Sequence, residues 1–202
     1  MSMRGKESAA IILAGGRSTR MGRDKALLEA EGRRIIERQI DALREIFPRV
    51  YISAKDAGPF AGVNAQVVPD VYDDRAALVG LYSGLKASEA DVNFCVACDM
   101  PVIHRPLIEE MLGRRKDYFA VVPESPRGLE PTYAVYTKAC CAAAKTLIEK
   151  KQFAFTGLLS VSRALVINAE EVGKICGGVN PFLNINTPED FDGYLNAKGD
   201  CH

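Results

Sequence analysis

The sequence predicts an α/β fold in which helices cover both faces of a mostly parallel sheet. Short apolar runs alternate along the chain with segments of helical periodicity, which is the rhythm of strand-helix-strand units. The runs are apolar almost throughout, as is typical of parallel strands buried on both sides. The first of them leads directly into the paired glycines Gly15 and Gly16, a junction that favours a ligand-binding loop.

Individual strands and helices follow from the hydrophobic spacing and from the residues at its ends. Strands are expected at residues 10–13, 49–53, 66–68, 92–97, 119–122, 132–136, 164–167 and 182–186. Helices are expected at residues 35–47, 78–85, 106–112, 139–150 and 153–162. A last helix is expected after Thr187, with Pro188 at its first position. Gly80 and Gly84 lie four residues apart, which predicts close packing of their helix against a neighbour or a ligand.

Length and composition indicate one domain spanning residues 1–202. The chain has 202 residues, of which 48% are hydrophobic, enough for one sizeable core and few for two. Lysine and arginine (26) balance aspartate and glutamate (26), so no overall basic field favours nucleic acid. The apolar run at residues 9–14 is too short to span a membrane and lacks the features of a signal peptide. We therefore expect a cytoplasmic protein that contacts neither nucleic acid nor membrane.

The six cysteines are expected to be thiols, because a cytoplasmic domain of this size does not depend on disulfides. Cys95 and Cys98 form a C-x-x-C pattern, but they lie in an apolar run that predicts a buried strand. A redox pair would be expected at a helix N-terminus, and no second pair completes a zinc site. The loop histidine His104 is expected to be structural or solvated, since no serine or cysteine constellation accompanies it.

The glycine loop has the composition of a phosphate-binding loop. Glycines let backbone N–H groups approach an anion, and a following helix N-terminus adds positive potential. Four cations follow the glycines within the same loop: Arg17, Arg20, Arg23 and Lys25. The loop matches neither G-x-x-x-x-G-K-[ST] nor G-x-G-x-x-G. The alternative is a glycine-rich turn with solvated arginines. The chain as a whole is charge-balanced, so four cations in one loop disfavour this alternative.

Polar residues also follow three other predicted strands, at Ser53, Asp70 and Asp99. In an open α/β sheet, ligands bind beyond the carboxyl ends of the strands, where these residues would meet the glycine loop. Asp99 is a candidate magnesium ligand, because Mg²⁺ is often held by one or two carboxylates together with substrate phosphates and water. A turn-forming aspartate is the alternative for both Asp99 and Asp70.

The chain resembles the molybdenum cofactor guanylyltransferase family, within the wider group of nucleotidyltransferases. The matching motifs span nearly the whole chain in family order. They are residues 13–25 (Leu-Ala-Gly-Gly-x-Ser-x-Arg-Met-Gly-x-Asp-Lys), Pro69-Asp70, Cys98-Asp99-Met100-Pro101, Glu130-Pro131, and residues 184–190 (Asn-x-Asn-Thr-Pro-Glu-Asp). Two departures are Ser53, where asparagine is common, and residues 76–80 (Ala-Ala-Leu-Val-Gly), which replace Gly-Pro-Leu-Ala-Gly.

The resemblance implies a three-layer α/β/α nucleotidyltransferase fold that binds GTP in its N-terminal half and molybdopterin in its C-terminal half. The implied GTP contacts are Leu13, Ala14, Gly15, Gly16, Lys25, Ser53, Asp70 and Asp99. Asp99 is the implied magnesium ligand, and Arg20 and Lys25 are the implied catalytic cations. Asn184 and Asn186 match the pair on the molybdopterin side.

The implied reaction is Mg²⁺-dependent transfer of GMP from GTP to the terminal phosphate of molybdopterin. The attacking phosphate is already anionic, so no general base is needed, and charge neutralisation supplies much of the rate. Transient contacts with proteins that supply molybdopterin or mature molybdoenzymes are also implied. The alternatives are a cytidylyltransferase or sugar-phosphate nucleotidyltransferase of the same fold, and a binding module without catalysis. Gly15-Gly16 favours guanine, since the cytidylyl relatives tend to have Ala-Gly.

Overall fold

One mixed sheet organises the molecule in the computed structural model, which describes residues 8–15, 29–30, 33–187, 190 and 193–194. The strands are β1 Ser8–Leu13, β2 Glu29–Ala30, β3 Arg33–Arg34, β4 Val50–Ala54, β5 Gln66–Pro69, β6 Val92–Ala97, β7 Ala120–Ser125, β8 Gly128–Leu129, β9 Tyr133–Thr137 and β10 Ala164–Ile167. The main sheet has the order β10-β7-β9-β6-β1-β4-β5, and β8 pairs with β7. β2 and β3 form a separate antiparallel pair. Only β9 runs against its neighbours β6 and β7 in the main path, so the sheet is mostly parallel.

Helices lie on both faces of the sheet. They are α1 Ile35–Arg44, α2 Ala77–Ala87, α3 Arg105–Arg114, α4 Cys140–Glu149, α5 Phe155–Val161 and α6 Ala169–Cys176. Successive residues of β1 point to opposite faces, as strand geometry requires. Ala10 and Ile12 belong to the apolar core beneath α1, α3 and α6. Ile11 and Leu13 belong to the core beneath α2, α4 and α5. The predicted three-layer α/β fold is therefore confirmed.

Most predicted elements are present, with shifts of a few residues at their ends. The predicted strand at 182–186 is wrong: this segment begins in a turn and pairs with no strand in the described part of the chain. Local side chains occupy the backbone groups that a sheet ladder would use. The N–H of Phe182 donates to Asn180 Oδ1 (3.1 Å), and Asn184 Nδ2 donates to the carbonyl of Phe182 (3.3 Å). Asparagine competes with regular structure in this way.

Four elements were not predicted: the two-residue strands β2, β3 and β8, and helix α6, whose ends were visible in the sequence. Helix α6 begins at Asn168, whose Oδ1 accepts from the N–H of Glu171 (2.9 Å). It ends at Gly177, which has the left-handed φ of 57°. The short strand β8 returns on β7 through Gly128, at φ 119°. None of the described helices combines the length and apolar character needed to cross a membrane.

Close packing of α2 on β1 depends on Gly84. A Cβ at this position would lie 2.5 Å from Cγ2 of Ile11, well inside van der Waals contact. Gly80, one turn earlier, would bring a Cβ to 3.3 Å from Cδ2 of Leu13. The prediction that this glycine pair allows a close approach is confirmed, and the approach brings α2 over the carboxyl end of β1.

Gly84→Ala is expected to lower the free energy of unfolding by about 1–3 kcal/mol, the usual cost of overpacking a core. The matched control is Gly157→Ala in α5, where a Cβ would meet only Leu147 at 3.5 Å. Alanine has the higher helix propensity, so the control should be neutral or slightly stabilising. Urea denaturation of the two purified variants measures the difference. Equal stability of the two would show that the contact with Ile11 relaxes freely.

Candidate active site

The carboxyl ends of β1, β4, β5 and β6 meet at one edge of the sheet. Leu13 pairs with Ser53 on one side and with Ala97 on the other. Beyond the ladder, the N–H of Ala14 donates to the carbonyl of Ser53 (2.8 Å), and the N–H of Cys98 donates to that of Leu13 (3.0 Å). The start of the glycine loop therefore lies beside the last residues of β4 and the first residue after β6, as expected for a ligand site in an open sheet.

Gly15, Ser53 and Asp70 form one contiguous contact at this edge. The hydroxyl of Ser53, which is fully buried, donates to Asp70 Oδ1 (2.7 Å). A Cβ at Gly15 would lie 2.7 Å from Asp70 Oδ2, so the carboxylate fills the space that any side chain at position 15 would need. The N–H of Asp70 donates to the carbonyl of Ala54 (3.1 Å), which fixes the turn after β5. The geometry joins three of the sequence-predicted nucleotide residues.

Burial raises the pKa of the Asp70 carboxyl above its ordinary value. The hydrogen bond from Ser53 and the charge of Lys55 act in the opposite direction but do not offset the loss of solvent. A half-buried carboxylate is costly to keep ionised, and active-site carboxylates are often held in this state.

Asp70→Asn is expected to raise the melting temperature at neutral pH, because the amide keeps the hydrogen bond of Ser53 without burying a charge. The raised pKa means that the folded protein binds a proton more readily than the unfolded chain. Ionisation of Asp70 therefore lowers stability at pH values above the folded pKa, and this penalty disappears as the pH falls below it. The advantage of the variant should shrink toward acid pH. Melting curves from neutral to acid pH test this, and a constant difference would contradict it.

Asp99 follows β6 in a turn that is held from several sides. The N–H of Met100 donates to the carbonyl of Ala97 (3.1 Å), and the N–H of Ile185 donates to the carbonyl of Asp99 itself (2.8 Å). Asp99 is partly exposed, as a ligand-binding carboxylate must be. Within the described ranges no group of three or more His, Cys, Asp or Glu side chains forms a metal cluster. A single carboxylate is compatible with Mg²⁺, which often takes its remaining ligands from substrate phosphates and water.

The segment carrying Asn184 and Asn186 lies beside Asp99 through the backbone bond from Ile185. Beyond it, Asp190 Oδ2 accepts from the N–H groups of Asn186 (2.8 Å) and Thr187 (2.9 Å). The Oγ1 of Thr187 in return accepts from the N–H of Asp190 (3.1 Å), so these residues form a capping box at the predicted helix start. The two predicted acceptor-side asparagines thus flank Ile185, the residue that binds the backbone of the candidate metal ligand Asp99.

A cavity of about 310 Å³ opens at the end of β7, beside the same segment. Its lining includes Glu124, Arg127, Glu130, Val172, Asn180 and Phe182. Ser125 donates to Glu130 Oε1 (2.7 Å), which orients the carboxylate of the Glu130-Pro131 motif. β6 and β7 both run antiparallel to the intervening β9, so the cavity and Asp99 lie at the same edge of the sheet.

Several sequence-predicted residues lie outside the part of the chain that the structure describes. These are Gly16, Arg17, Arg20, Arg23 and Lys25. Their proposed roles at the phosphates stay predictions from the sequence. Of the predicted nucleotide residues, Leu13, Ala14, Gly15, Ser53, Asp70 and Asp99 are described and meet at the sheet edge.

His104 and the cysteines have structural surroundings, as expected. The Nδ1 of His104 accepts from the N–H of Leu107 (3.3 Å) and so caps α3, and burial lowers the pKa of this imidazole. Burial raises the pKa of the Cys95 thiol, and it raises that of Cys140 to about 11, so neither is a ready nucleophile. All the described cysteines are free thiols.

One buried polar residue near the site was not predicted. Gln39 in α1 is fully buried, and its Nε2 donates to the carbonyls of Ala97 (3.0 Å) and Met100 (2.6 Å). It lies between Ile36 and Ile40 on the apolar face of α1. The sequence signal for this residue was its position as a polar side chain on the otherwise apolar face of a predicted helix.

Comparison with known proteins identifies the family. A model of the MobA-like NTP transferase domain matches residues 10–166. The chain belongs to the MobA-like NTP transferase family. Among curated members, the molybdenum cofactor guanylyltransferase of Desulfosudis oleivorans is 30% identical over 184 residues, which cover 90% of this chain and 91% of the relative. The family resemblance seen in the motifs is therefore confirmed.

Solved structures agree on the MobA-like fold. Molybdopterin-guanine dinucleotide biosynthesis protein A from Archaeoglobus fulgidus superposes with a TM-score of 0.81 at 19% identity, covering 95% of this chain and 99% of that one. Rv0371C from Mycobacterium tuberculosis, solved in complex with manganese, superposes with a TM-score of 0.62 at 18% identity, covering 95% and 99% of the two chains.

Proposed function

We propose that this MobA-like protein transfers GMP from GTP to the terminal phosphate of molybdopterin and releases pyrophosphate. The observation that carries the proposal is the sheet edge at which Gly15, Asp70 and Asp99 meet beside the Asn184 segment. A transferase needs a donor site and an acceptor site next to one another, because the reacting atoms must come within contact distance. The name of the Desulfosudis oleivorans relative supports this choice of substrates.

In the proposed donor site, the loop from Leu13 to Gly16 places backbone N–H groups against the triphosphate, with Arg20 and Lys25 beside it. Asp70 receives the ribose or the guanine edge. Ser53 acts through Asp70, since its buried hydroxyl donates to that carboxylate. Asn184 and Asn186 bind molybdopterin. One domain then holds both substrates, GTP on its N-terminal half and molybdopterin on its C-terminal half.

The proposed chemistry is in-line displacement at the α-phosphorus of GTP. An oxygen of the molybdopterin phosphate forms the new P–O bond, and the bond to the β-phosphate oxygen breaks, so that pyrophosphate leaves with the electron pair. The nucleophile is anionic, and no side chain has to remove a proton. Asp99 holds Mg²⁺, which when bound neutralises charge on the phosphates. The manganese complex of Rv0371C supports a divalent ion in this fold.

We also propose a cytoplasmic location, supported by the free thiols among the described residues, which are typical of a reducing compartment. Proteins that deliver molybdopterin or receive its dinucleotide are expected to contact this one transiently, because the pterin product must be passed on.

The deciding experiment incubates the purified protein with molybdopterin, Mg²⁺ and each of GTP, CTP, ATP and UTP. We expect the pterin dinucleotide and pyrophosphate with GTP, at rates well above those with the other nucleotides. Product formation with CTP alone would identify a cytidylyltransferase, and transfer to a sugar phosphate would identify an enzyme of sugar nucleotides. Tight GTP binding without pyrophosphate would indicate a non-catalytic module.

A second measurement tests the nucleotide choice without molybdopterin. A ligand that binds only the folded state raises its stability by an amount set by its concentration and dissociation constant. GTP with Mg²⁺ should therefore give the largest rise in melting temperature among the four nucleotides. A larger rise with CTP would contradict the assignment of guanine.

A further inference from the structure

We infer that Gln39 is a positioning residue for Asp99. The inference rests on the proposed function, in which Asp99 holds a divalent cation beside the phosphates of GTP. Gln39 belongs to α1, the helix that follows the glycine loop along the chain, whereas Asp99 belongs to the turn after β6. Its carboxamide joins the two elements.

The contacts of Gln39 bracket the Asp99 turn. Its Nε2 donates one hydrogen bond to the carbonyl of Ala97 (3.0 Å), the last residue of β6, and another to the carbonyl of Met100 (2.6 Å), just after Asp99. Both amide protons are therefore used on the two sides of Cys98 and Asp99. Fixing these carbonyls fixes the backbone from which the carboxylate projects.

Two further backbone bonds, besides the one from Met100 to Ala97, also hold this turn. The N–H of Cys98 donates to the carbonyl of Leu13 (3.0 Å), and the carbonyl of Asp99 accepts from the N–H of Ile185 (2.8 Å). Gln39 differs from both, since it supplies the support through a side chain. It is the contact that a substitution can remove without altering the backbone.

Stability alone does not explain an amide at this position. Gln39 is completely buried, and among the described residues its Oε1 has no hydrogen-bond partner. A buried acceptor that stays unpaired opposes folding, and an apolar side chain of the same shape is often nearly neutral or better. What the amide adds over methionine is the pair of donors that hold the turn. Outer-shell contacts of this kind set the orientation of metal ligands.

The test replaces Gln39 with methionine, which keeps the volume and removes both donors. The matched control is Asn93→Leu at the opposite end of β6. Asn93 is also fully buried, its Nδ2 donates to the carbonyls of Ala90 (3.1 Å) and Asp91 (3.4 Å), and its Oδ1 is likewise unpaired among the described residues. Both substitutions remove a buried carboxamide that donates to two main-chain carbonyls, the first at the carboxyl end of β6 beside Asp99 and the second at its amino end.

The readout is Mn²⁺ binding, measured by electron paramagnetic resonance with a GTP analogue that carries a methylene group between the α- and β-phosphorus. We expect Gln39→Met to bind Mn²⁺ about tenfold more weakly than the native protein, as is usual when an outer-shell partner is removed. Asn93→Leu should bind Mn²⁺ like the native protein, even if its melting temperature falls by as much as that of Gln39→Met. Equal Mn²⁺ affinity for Gln39→Met and the native protein would overturn the inference.

A double variant shows whether Gln39 acts through Asp99. In an Asp99→Ala background, Gln39→Met should cause no further loss of Mn²⁺ affinity, because the ligand it positions is absent. An additive loss would assign Gln39 a general structural role. Failure of the native protein to bind Mn²⁺ with the analogue would instead contradict the proposed function, so the two failures are distinguishable.

Discussion

Asp99→Ala is expected to lower the rate of pyrophosphate release at least about tenfold, equivalent to about 1.4 kcal/mol of transition-state stabilisation. Asp99 is the carboxylate at the end of β6, and the proposed reaction brings two phosphate groups together there. Without it, the divalent ion loses its protein ligand and the charge on the phosphates is less well neutralised. The effect should appear in kcat more than in the KM for molybdopterin, because charge develops in the transition state.

The matched control for this prediction is Asp91→Ala. Asp91 is exposed and directly precedes β6, so this variant removes a carboxylate at the opposite end of the strand from the site. Its rate should equal that of the native protein. Circular dichroism spectra and melting curves of both variants establish that each is folded. A rate of Asp99→Ala close to the native one would remove Asp99 from the mechanism.

Gly15→Ala is expected to weaken GTP binding at least about tenfold, which corresponds to about 1.4 kcal/mol. The added methyl group would lie 2.7 Å from Asp70 Oδ2, a distance that forces the carboxylate out of its position against Ser53. Asp70 would then lose both its hydrogen bond and its place in the proposed ribose or base site. Isothermal titration calorimetry with GTP and Mg²⁺ measures the change.

The double variant Gly15→Ala, Asp70→Ala separates this clash from a direct effect on the loop. If the methyl group acts by displacing Asp70, the double variant should bind GTP no more weakly than Asp70→Ala alone. A further loss in the double variant would mean that position 15 contacts the nucleotide independently. Melting curves with the other nucleotides would show whether the displaced carboxylate also changes base preference.

Much of the fold could be predicted because polar or charged residues bound its apolar strands. The β6 and β10 ranges agree with the prediction to the residue, since charged or polar residues flank their apolar runs. The segment at 182–186 has a similar apolar and polar content, but Asn180 and Asn184 bind the backbone of Phe182, and Ile185 donates to the turn at Asp99 and not to a strand. Periodicity reports which residues are apolar, and it contains no information on where backbone hydrogen bonds are made.

The site was predictable as a set of strand ends but not as a set of contacts. Glycines, cations and the Asp99 motif indicated a nucleotide at the sheet edge. The contact of Asp70 with Gly15 depends on β4 lying between β1 and β5, and this order is fixed only by tertiary packing. Gln39 and Asp99 are likewise distant in sequence, and their link passes through main-chain carbonyls, which any sequence supplies.

The reversed strand β9 has a consequence for the distance between the Asp99 turn and the cavity beside β7. It lies between β6, which ends at the Asp99 turn, and β7, which ends at the 310 Å³ cavity. Neighbouring strands are about 4.8 Å apart, so β6 and β7 lie about 10 Å apart where β9 pairs with both of them, at Phe94 and Val121 on either side of Val135. The backbone of the sheet sets this spacing, and side-chain substitutions along β9 leave it unchanged. The residues around Asp99 and those lining the cavity can therefore vary independently of the strand spacing between them.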